Sequence, residues 1–189
     1  MDLSERQLIA RFRRGDRDAF EEVVGRWSRD ITNLAFRMTG HHEDARDVAQ
    51  QCFLRAYQSR QRFEGNASLG TWLYRIAVNI CRDRLRAERS RRRVVHAISN
   101  PRNRPRPGHR PVRSSATETD ETQARIAEAM ASLPAAEREV AVLRHYHGLS
   151  CREIAELLDA PYTTIKSRLV QGLDRLRIRL RDLDPCASG

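Results

Sequence analysis

The chain has 189 residues, 40% of them hydrophobic and only 6% aromatic, which allows one or two small domains with mainly aliphatic cores. A formal charge of +10 and a pI near 10.6 favour polyanionic partners, nucleic acid before an anionic membrane. The four cysteines (Cys52, Cys81, Cys151 and Cys186) form no CxxC pair, which argues against a disulfide framework or zinc finger; no apolar run approaches ~18 residues, so neither a secretory leader nor a membrane span is expected and the chain reads as cytoplasmic.

Helical spacing dominates the first ninety residues. Ser4 is expected to cap a short helix that Gly15 closes. Phe20, Val23, Val24, Trp27, Ile31, Leu34, Ala35 and Met38 then recur at three- and four-residue intervals up to Gly40. After HHED, with Asp44 as the expected cap, a third helix buries Val48, Ala49, Cys52, Phe53 and Ala56. A break near residues 60–65 precedes a fourth helix capped by Ser68. From about Ala87 the sequence turns Arg- and Pro-rich, with prolines at 101, 105, 107 and 111, and reads as an extended tether. Helices resume near Glu121, one beginning at Leu133-Pro134 and a final pair filling residues 150–183. The fold class expected is all-α: an N-terminal helical bundle over residues 1–90 and a C-terminal helix-turn-helix domain over 121–183. A basic linker (91–120) joins them and a tail (184–189) follows.

The C-terminal pair is the most specific signal. Ser150 and Glu153 have the spacing of a capping box, and Asp159-Ala160-Pro161 forms the turn. At 100° per residue the second helix divides cleanly. Ile165, Leu169, Gly172, Leu173, Leu176 and Leu180 lie on one side; Thr163, Ser167, Val170, Gln171 and Asp174 lie on the other, flanked by Lys166 and Arg168. Ser, Gln and Arg can read base edges in a major groove, while Thr and Lys can hold phosphates. An amphipathic hairpin with a solvated basic face would show the same division.

The stretch EGNASLGTWLYRIAVNICRDRLR poses a different problem. Leu69, Leu73, Ile76, Ala77 and Ile80 define an apolar face, widened by Tyr74, Val78, Cys81 and Leu85. Trp72 falls on the remaining arc with Arg75, Asn79, Arg82, Asp83 and Arg86. An aromatic beside arginines suits an unstacked strand; a ring covering the edge of the domain fits equally. The preceding loop, with Gly65, Asn66 and Ser68, could pocket a flipped base or simply connect two helices. On the third helix, Asp47, Gln50, Gln51 and Leu54 share the side away from the core, either a protein-docking patch or a solvated face.

Taken together, DARDVAQQCFLRAYQ (44–58), RFEGNASLGTWLYRIAVNICRDRLR (62–86) and LPAAEREVAVLRHYHGLSCREIAELLDAPYTTIKSRLVQGLDRLR (133–177) resemble, in order, the core-polymerase-binding, promoter-melting and minus-thirty-five-binding segments of extracytoplasmic-function sigma factors of the sigma-70 family. The resemblance implies a factor without catalytic residues, metal or cofactor that directs core RNA polymerase to promoter DNA. Asp47 and Gln50, with Gln51 and Leu54 beside them, would meet the clamp helices of the polymerase largest subunit, and the C-terminal domain its flap region. The loop Gly65, Asn66, Ala67, Ser68 and Leu69 would take a flipped minus-ten base. Trp72, Arg75, Asn79 and Arg82 would lie along the promoter strands. Lys166, Ser167, Arg168 and Gln171, with Thr163 and Thr164 at the head of the helix, would meet the minus-thirty-five element. An anti-sigma partner is common in such a family; a membrane partner is not implied. Glu64, Asn66 and Gln171 depart from residues common at these positions, so the promoter sequence itself is not carried over.

A relaxed tether of about 35 residues would average roughly 30 Å end to end, against ~70 Å between DNA elements two helical turns apart. The expected linker must therefore be held partly extended. No nucleophile–base–orienter set is visible. The adjacent histidines of HHED do not share a helix face, and His145 and His147 sit badly for joint ligation on a helix.

Overall fold

A computed structural model describes residues 3–65, 67–98 and 118–181. The N-terminal bundle comprises α1 (Leu3–Arg14), α2 (Arg17–Thr39), α3 (His42–Ser59) and α4 (Leu69–Ile98), with a 3-10 turn at Arg60–Arg62. The C-terminal domain comprises α5 (Glu118–Ser132), α6 (Ala135–His145), α7 (Cys151–Leu158) and α8 (Tyr162–Arg179). Every regular element among the described residues is a helix, as the periodicity requires.

The helix ends follow local chemistry. Gly15 takes φ 85° between α1 and α2, and Asp16 then caps α2 by accepting from the Ala19 amide at 3.0 Å. Arg11 pairs with the same carboxylate at 2.9 Å; that hydrogen bond, then the Ala19 amide, holds Asp16 below the usual carboxylate range. Gly40 closes α2 at φ 81°, its N–H donating to the Phe36 carbonyl. Ser68 caps α4, accepting from the Thr71 amide at 3.1 Å.

Three expectations need correction. Ser4 lies inside α1 rather than at its cap. Asp44 lies in the first turn of α3, whose N-cap is His41, and its carboxylate pairs with Arg84 at 3.0 Å instead. The fourth helix does not stop near residue 90 but continues to Ile98, into the segment expected as linker. Arg, Ala and Glu are good helix formers and no glycine or proline intervenes before Pro101, so charge alone does not end the helix. The prolines of the expected linker lie outside the described residues, as do the tail and Cys186.

The bundle core is built on Phe12, Val23, Ile31, Leu34, Val48, Leu69, Leu73 and Val78, all below 2% exposed. Each buried aliphatic side chain contributes about 1.5–3 kcal/mol of hydrophobic stabilisation before entropy is counted. The C-terminal core is smaller: Leu133, Val140, Leu143, Leu149, Ile154, Leu157, Leu158 and Ile165. Its α7 carries the expected capping box, with the Glu153 amide on Ser150 Oγ at 3.2 Å and the Ser150 amide on Glu153 Oε2 at 2.8 Å. The turn to α8 passes through Asp159 at φ 50°, a left-handed residue that aspartate tolerates better than most. α8 crosses α6 at the buried Gly172, where a Cβ would make ordinary contact with Glu137 Cβ at 3.5 Å.

The two domains also pack on each other, α6 against α2 and α7 against α4.

Candidate nucleic-acid interface

Ile165 is fully buried, and its burial fixes which side of α8 faces out. Thr163, Lys166, Ser167, Val170 and Gln171 line one shallow exposed groove. Gln171 Nε2 donates to Ser167 Oγ at 3.3 Å, pre-setting two polar groups on that surface. Thr164 is half-buried beside them. Arg168 departs from the group: it lines a cavity of about 390 Å³ between the domains, together with Arg82, Arg86, Arg89, Arg138 and Glu139.

The α4 surface divides in a similar way. Gly65 holds φ 80° with open space where a Cβ would stand, and Ala67 and Ser68 are exposed beside it. Asn66 lies outside the described residues. Leu69, expected in the base-capturing loop, is instead fully buried and anchors the loop to the core; an apolar side chain at the first position of a core-facing helix is drawn inward. Trp72 is half-buried and packs on Phe63, ring centroids 5.2 Å apart, so it covers the domain edge while keeping part of its ring in solvent. Arg75 and Asn79 are exposed on the outward arc. Arg75 Nη2 donates to the Glu156 carbonyl of α7. Arg82 meets Glu139 of α6 through both nitrogens, Nε to Oε1 and Nη2 to Oε2, each 2.8 Å.

Glu139 is only 4% exposed, and burial raises its pKa while the hydrogen bond from Arg82 pulls it part of the way back. Arg138 donates to the Met38 carbonyl of α2 at 2.9 Å and to the carbonyls of Ala131 and Leu133. Burial, with Arg89 nearby, lowers its pKa. His147 packs tilted against Tyr74, 4.6 Å between centroids, and burial pushes its pKa down to about 4. The Arg37 guanidinium sits 3.8 Å above the Tyr146 ring. Sequence reasoning missed this whole seam. One signal was available: Glu139 precedes Val142 and Leu143 by three and four residues, which places a carboxylate on the buried face of α6.

On α3, Asp47, Gln50, Gln51 and Leu54 are all exposed, Leu54 at 55%. Arg84 of α4 bridges Asp44 and Asp47, the latter at 2.9 Å, and so fixes the acidic end of this face. Cys52 and Cys81 are buried, and desolvation lifts both thiols to about 12, which makes them poor nucleophiles. Among the described residues no group of His, Cys, Asp and Glu is arranged to hold a metal ion, and no helix is long and apolar enough to cross a membrane.

Residues 23–91 match the family model for sigma-70 region 2, and residues 123–176 that for sigma-70 region 4. The extracytoplasmic-function (ECF) RNA polymerase sigma factor SigW of Bacillus subtilis is 33% identical, over 97% of this chain and 100% of its own. The RNA polymerase sigma-H factor of Pseudomonas aeruginosa is 30% identical over 95% of each chain. The ECF RNA polymerase sigma-E factor of Escherichia coli K12 is 28% identical over 96% of each. Among solved structures, CnrH in complex with the cytosolic domain of CnrY aligns with a TM-score of 0.69 at 24% identity, covering 96% of this chain and 99% of that one. The sigma factor RpoE of Bartonella quintana, in complex with the anti-sigma factor NepR, aligns at 0.64 and 21% identity, covering 86% and 96%. At these identities the two structures speak for the fold.

Proposed function

The chain belongs to the extracytoplasmic-function group of sigma-70 factors, regulatory proteins that bind core RNA polymerase and direct promoter-specific initiation, and from that premise we propose how its surfaces divide the work. The α8 groove of Thr163, Lys166, Ser167 and Gln171 reads the minus-thirty-five element, with Gln171 and Ser167 at base edges and Lys166 and Thr163 on phosphates. The loop around Gly65 and Ser68 captures a flipped minus-ten base, and Trp72, Arg75, Asn79 and Arg82 follow the separated strand. The α3 face of Asp47, Gln50, Gln51 and Leu54 docks on the polymerase clamp helices. Strand opening is driven by trapping unpaired bases, with no bond made or broken by the factor.

The observation that carries this reading is a polar face on each of two helices, α8 and α4, in two domains of one chain, each helix burying its opposite side in its own core. The solved relatives CnrH and RpoE are each bound to a second protein, in the RpoE complex a named anti-sigma factor. An anti-sigma protein is accordingly the regulator we assign to this chain.

Reconstituted transcription with core polymerase on genomic fragments tests the assignment. Mapped start sites should share two upstream elements. Gln171→Ala should lower output on the wild-type minus-thirty-five element by the ~1–3 kcal/mol of one base contact, with little effect on templates lacking it. Trp72→Ala should slow opening on duplex promoters more than on pre-melted ones. Equal loss on both templates would make Trp72 structural only, and output without shared elements would end the reading.

A further inference from the structure

We propose that the cavity between α4 and α6 is a binding site for a small ligand carrying two or more phosphates, either a bare polyphosphate or a nucleotide. The site stands whether or not α4 meets promoter DNA. Arg82, Arg86 and Arg89 come to it from α4, Arg138 and Glu139 from α6, and Arg168 from α8. Five guanidinium groups therefore face one carboxylate. An arginine cannot shed its proton to relieve such crowding, so the excess charge calls for an anion.

The partners already present leave most of that charge unanswered. Arg82 meets Glu139 side-on through Nε and Nη2, which leaves the fork at the end of its guanidinium open. Arg138 donates to three neutral carbonyls and to no carboxylate, and its Nε is buried without an acceptor. Arg86 pairs with Asp83 of its own helix, but both side chains are more than half exposed and such a contact is worth little. Among the described residues, neither Arg89 nor Arg168 forms an ion pair.

Size and lining narrow the occupant. About 390 Å³ is the volume of a small-molecule pocket and is too small for a duplex, whose major groove alone is ~12 Å wide. Guanidinium forks match the paired oxygens of phosphate, and several forks in one cavity suit a chain of phosphates better than a single one. Met38, Leu85, Ala135 and Ala136 supply apolar surface in the same cavity, against which the sugar or base of a nucleotide can lie. Half-buried Arg138 and buried Glu139 form its inner wall and exposed Arg86 and Arg89 its rim, so a ligand can enter without unfolding a helix. Because the walls belong to both domains, a bound polyphosphate would tie α4 to α6.

The test titrates the full chain, free of polymerase and in magnesium-free buffer, with tripolyphosphate, with ATP and with sulfate at matched ionic strength. Thermal midpoints and calorimetry read binding. Tripolyphosphate or ATP at ten times its half-saturating concentration should raise the midpoint by about 3–6 °C. Arg86→Ala combined with Arg89→Ala should raise that half-saturating concentration roughly 10-fold or more, the loss of one charge-assisted hydrogen bond. Both side chains are exposed, so this variant should fold; should it not, Arg89→Ala alone carries the comparison. Arg13→Ala, on the exposed face of α1, should bind as wild type does. Tighter binding of ATP assigns a nucleotide with its organic part on the apolar surface; tripolyphosphate binding at least as tightly assigns a bare phosphate chain. No shift with either, an equal shift with sulfate (an adventitious ion only), unchanged affinity in the rim variant, or an equal loss in Arg13→Ala would each overturn the proposal.

Discussion

The two halves of this chain solve the same problem with different means. The N-terminal bundle wraps α1, α3 and α4 around a long α2 and buries large side chains, among them Phe12, Trp27, Ile31 and Phe53. The C-terminal domain has shorter central helices and a mostly aliphatic core. Both halves use local devices: caps at Asp16 and Ser68 and a left-handed Gly40 in the first, a capping box at Ser150 and a left-handed Asp159 in the second. The second has fewer large buried side chains behind them, so each cap carries a larger share of its stability. Each half can therefore give up one helix face to polar residues, but at a different margin.

The largest expected effect tests the core of the first half. Phe12→Ala removes a fully buried ring stacked near Phe20 and should cost about 3–5 kcal/mol in urea unfolding. A cost below 1 kcal/mol would mean that α1 is peripheral to the bundle.

Next is Gly70→Ala, whose new Cβ would stand 2.8 Å from Trp27 Nε1. The indole is nearly buried and cannot swing clear, so about 1–3 kcal/mol should be lost, read as a lower thermal midpoint. An unchanged midpoint would show that Trp27 has room to move.

The seam between the halves responds to acid. His147 has a folded value of about 4, below its ordinary 6.5, so its contribution is complete above pH 6.5 and is lost as pH falls toward 4. Asp30 opposes that shift and Arg37 reinforces it. Allowing for the water that reaches a partly exposed ring, about 1–2 kcal/mol should disappear across this window. His147→Gln should flatten the dependence in thermal melts taken from pH 7 to pH 4, and an identical slope in the variant would assign the acid sensitivity elsewhere.

The smallest effect tests a cap of the second half. Ser150→Ala should cost ~1 kcal/mol by removing the cap of α7. If it cost as much as Phe12→Ala, the C-terminal domain would depend on that single cap, and the contrast between the halves would sharpen; if it cost nothing, the contrast would fail.

Local features were legible in the sequence because they are set by local chemistry. Ser68, Gly40, the Ser150/Glu153 box and the outward arc of α8 follow from spacing and residue type alone. The misreadings came from competition between signals. The arginine run after Ala87 looks like a tether by charge, yet its helix propensity carries α4 to Ile98. Asp44 has the residue type of a cap, but a cation from another helix, Arg84 of α4, claims it. Leu69 lies within a loop motif, and burial decides its position. The seam was the least legible part: Arg75, Arg82 and Arg37 read as surface charge until α6 and α7 supply their partners.

The continuation of α4 has a consequence for length. A helical residue advances the chain by 1.5 Å where an extended one advances it by roughly 3.4 Å. Every residue added to α4 is thus taken from the rope that ties the halves together. With α4 intact to Ile98 and α5 beginning at Glu118, the covalent reach of residues 99–117 is at most roughly 65 Å, just short of two turns of duplex DNA. A factor straddling two promoter elements must then draw this rope nearly taut, let the domains themselves bridge part of the gap, or unwind the last turns of α4 to lengthen it. In that last case the end of the helix serves as a reel, paying out chain as the domains part.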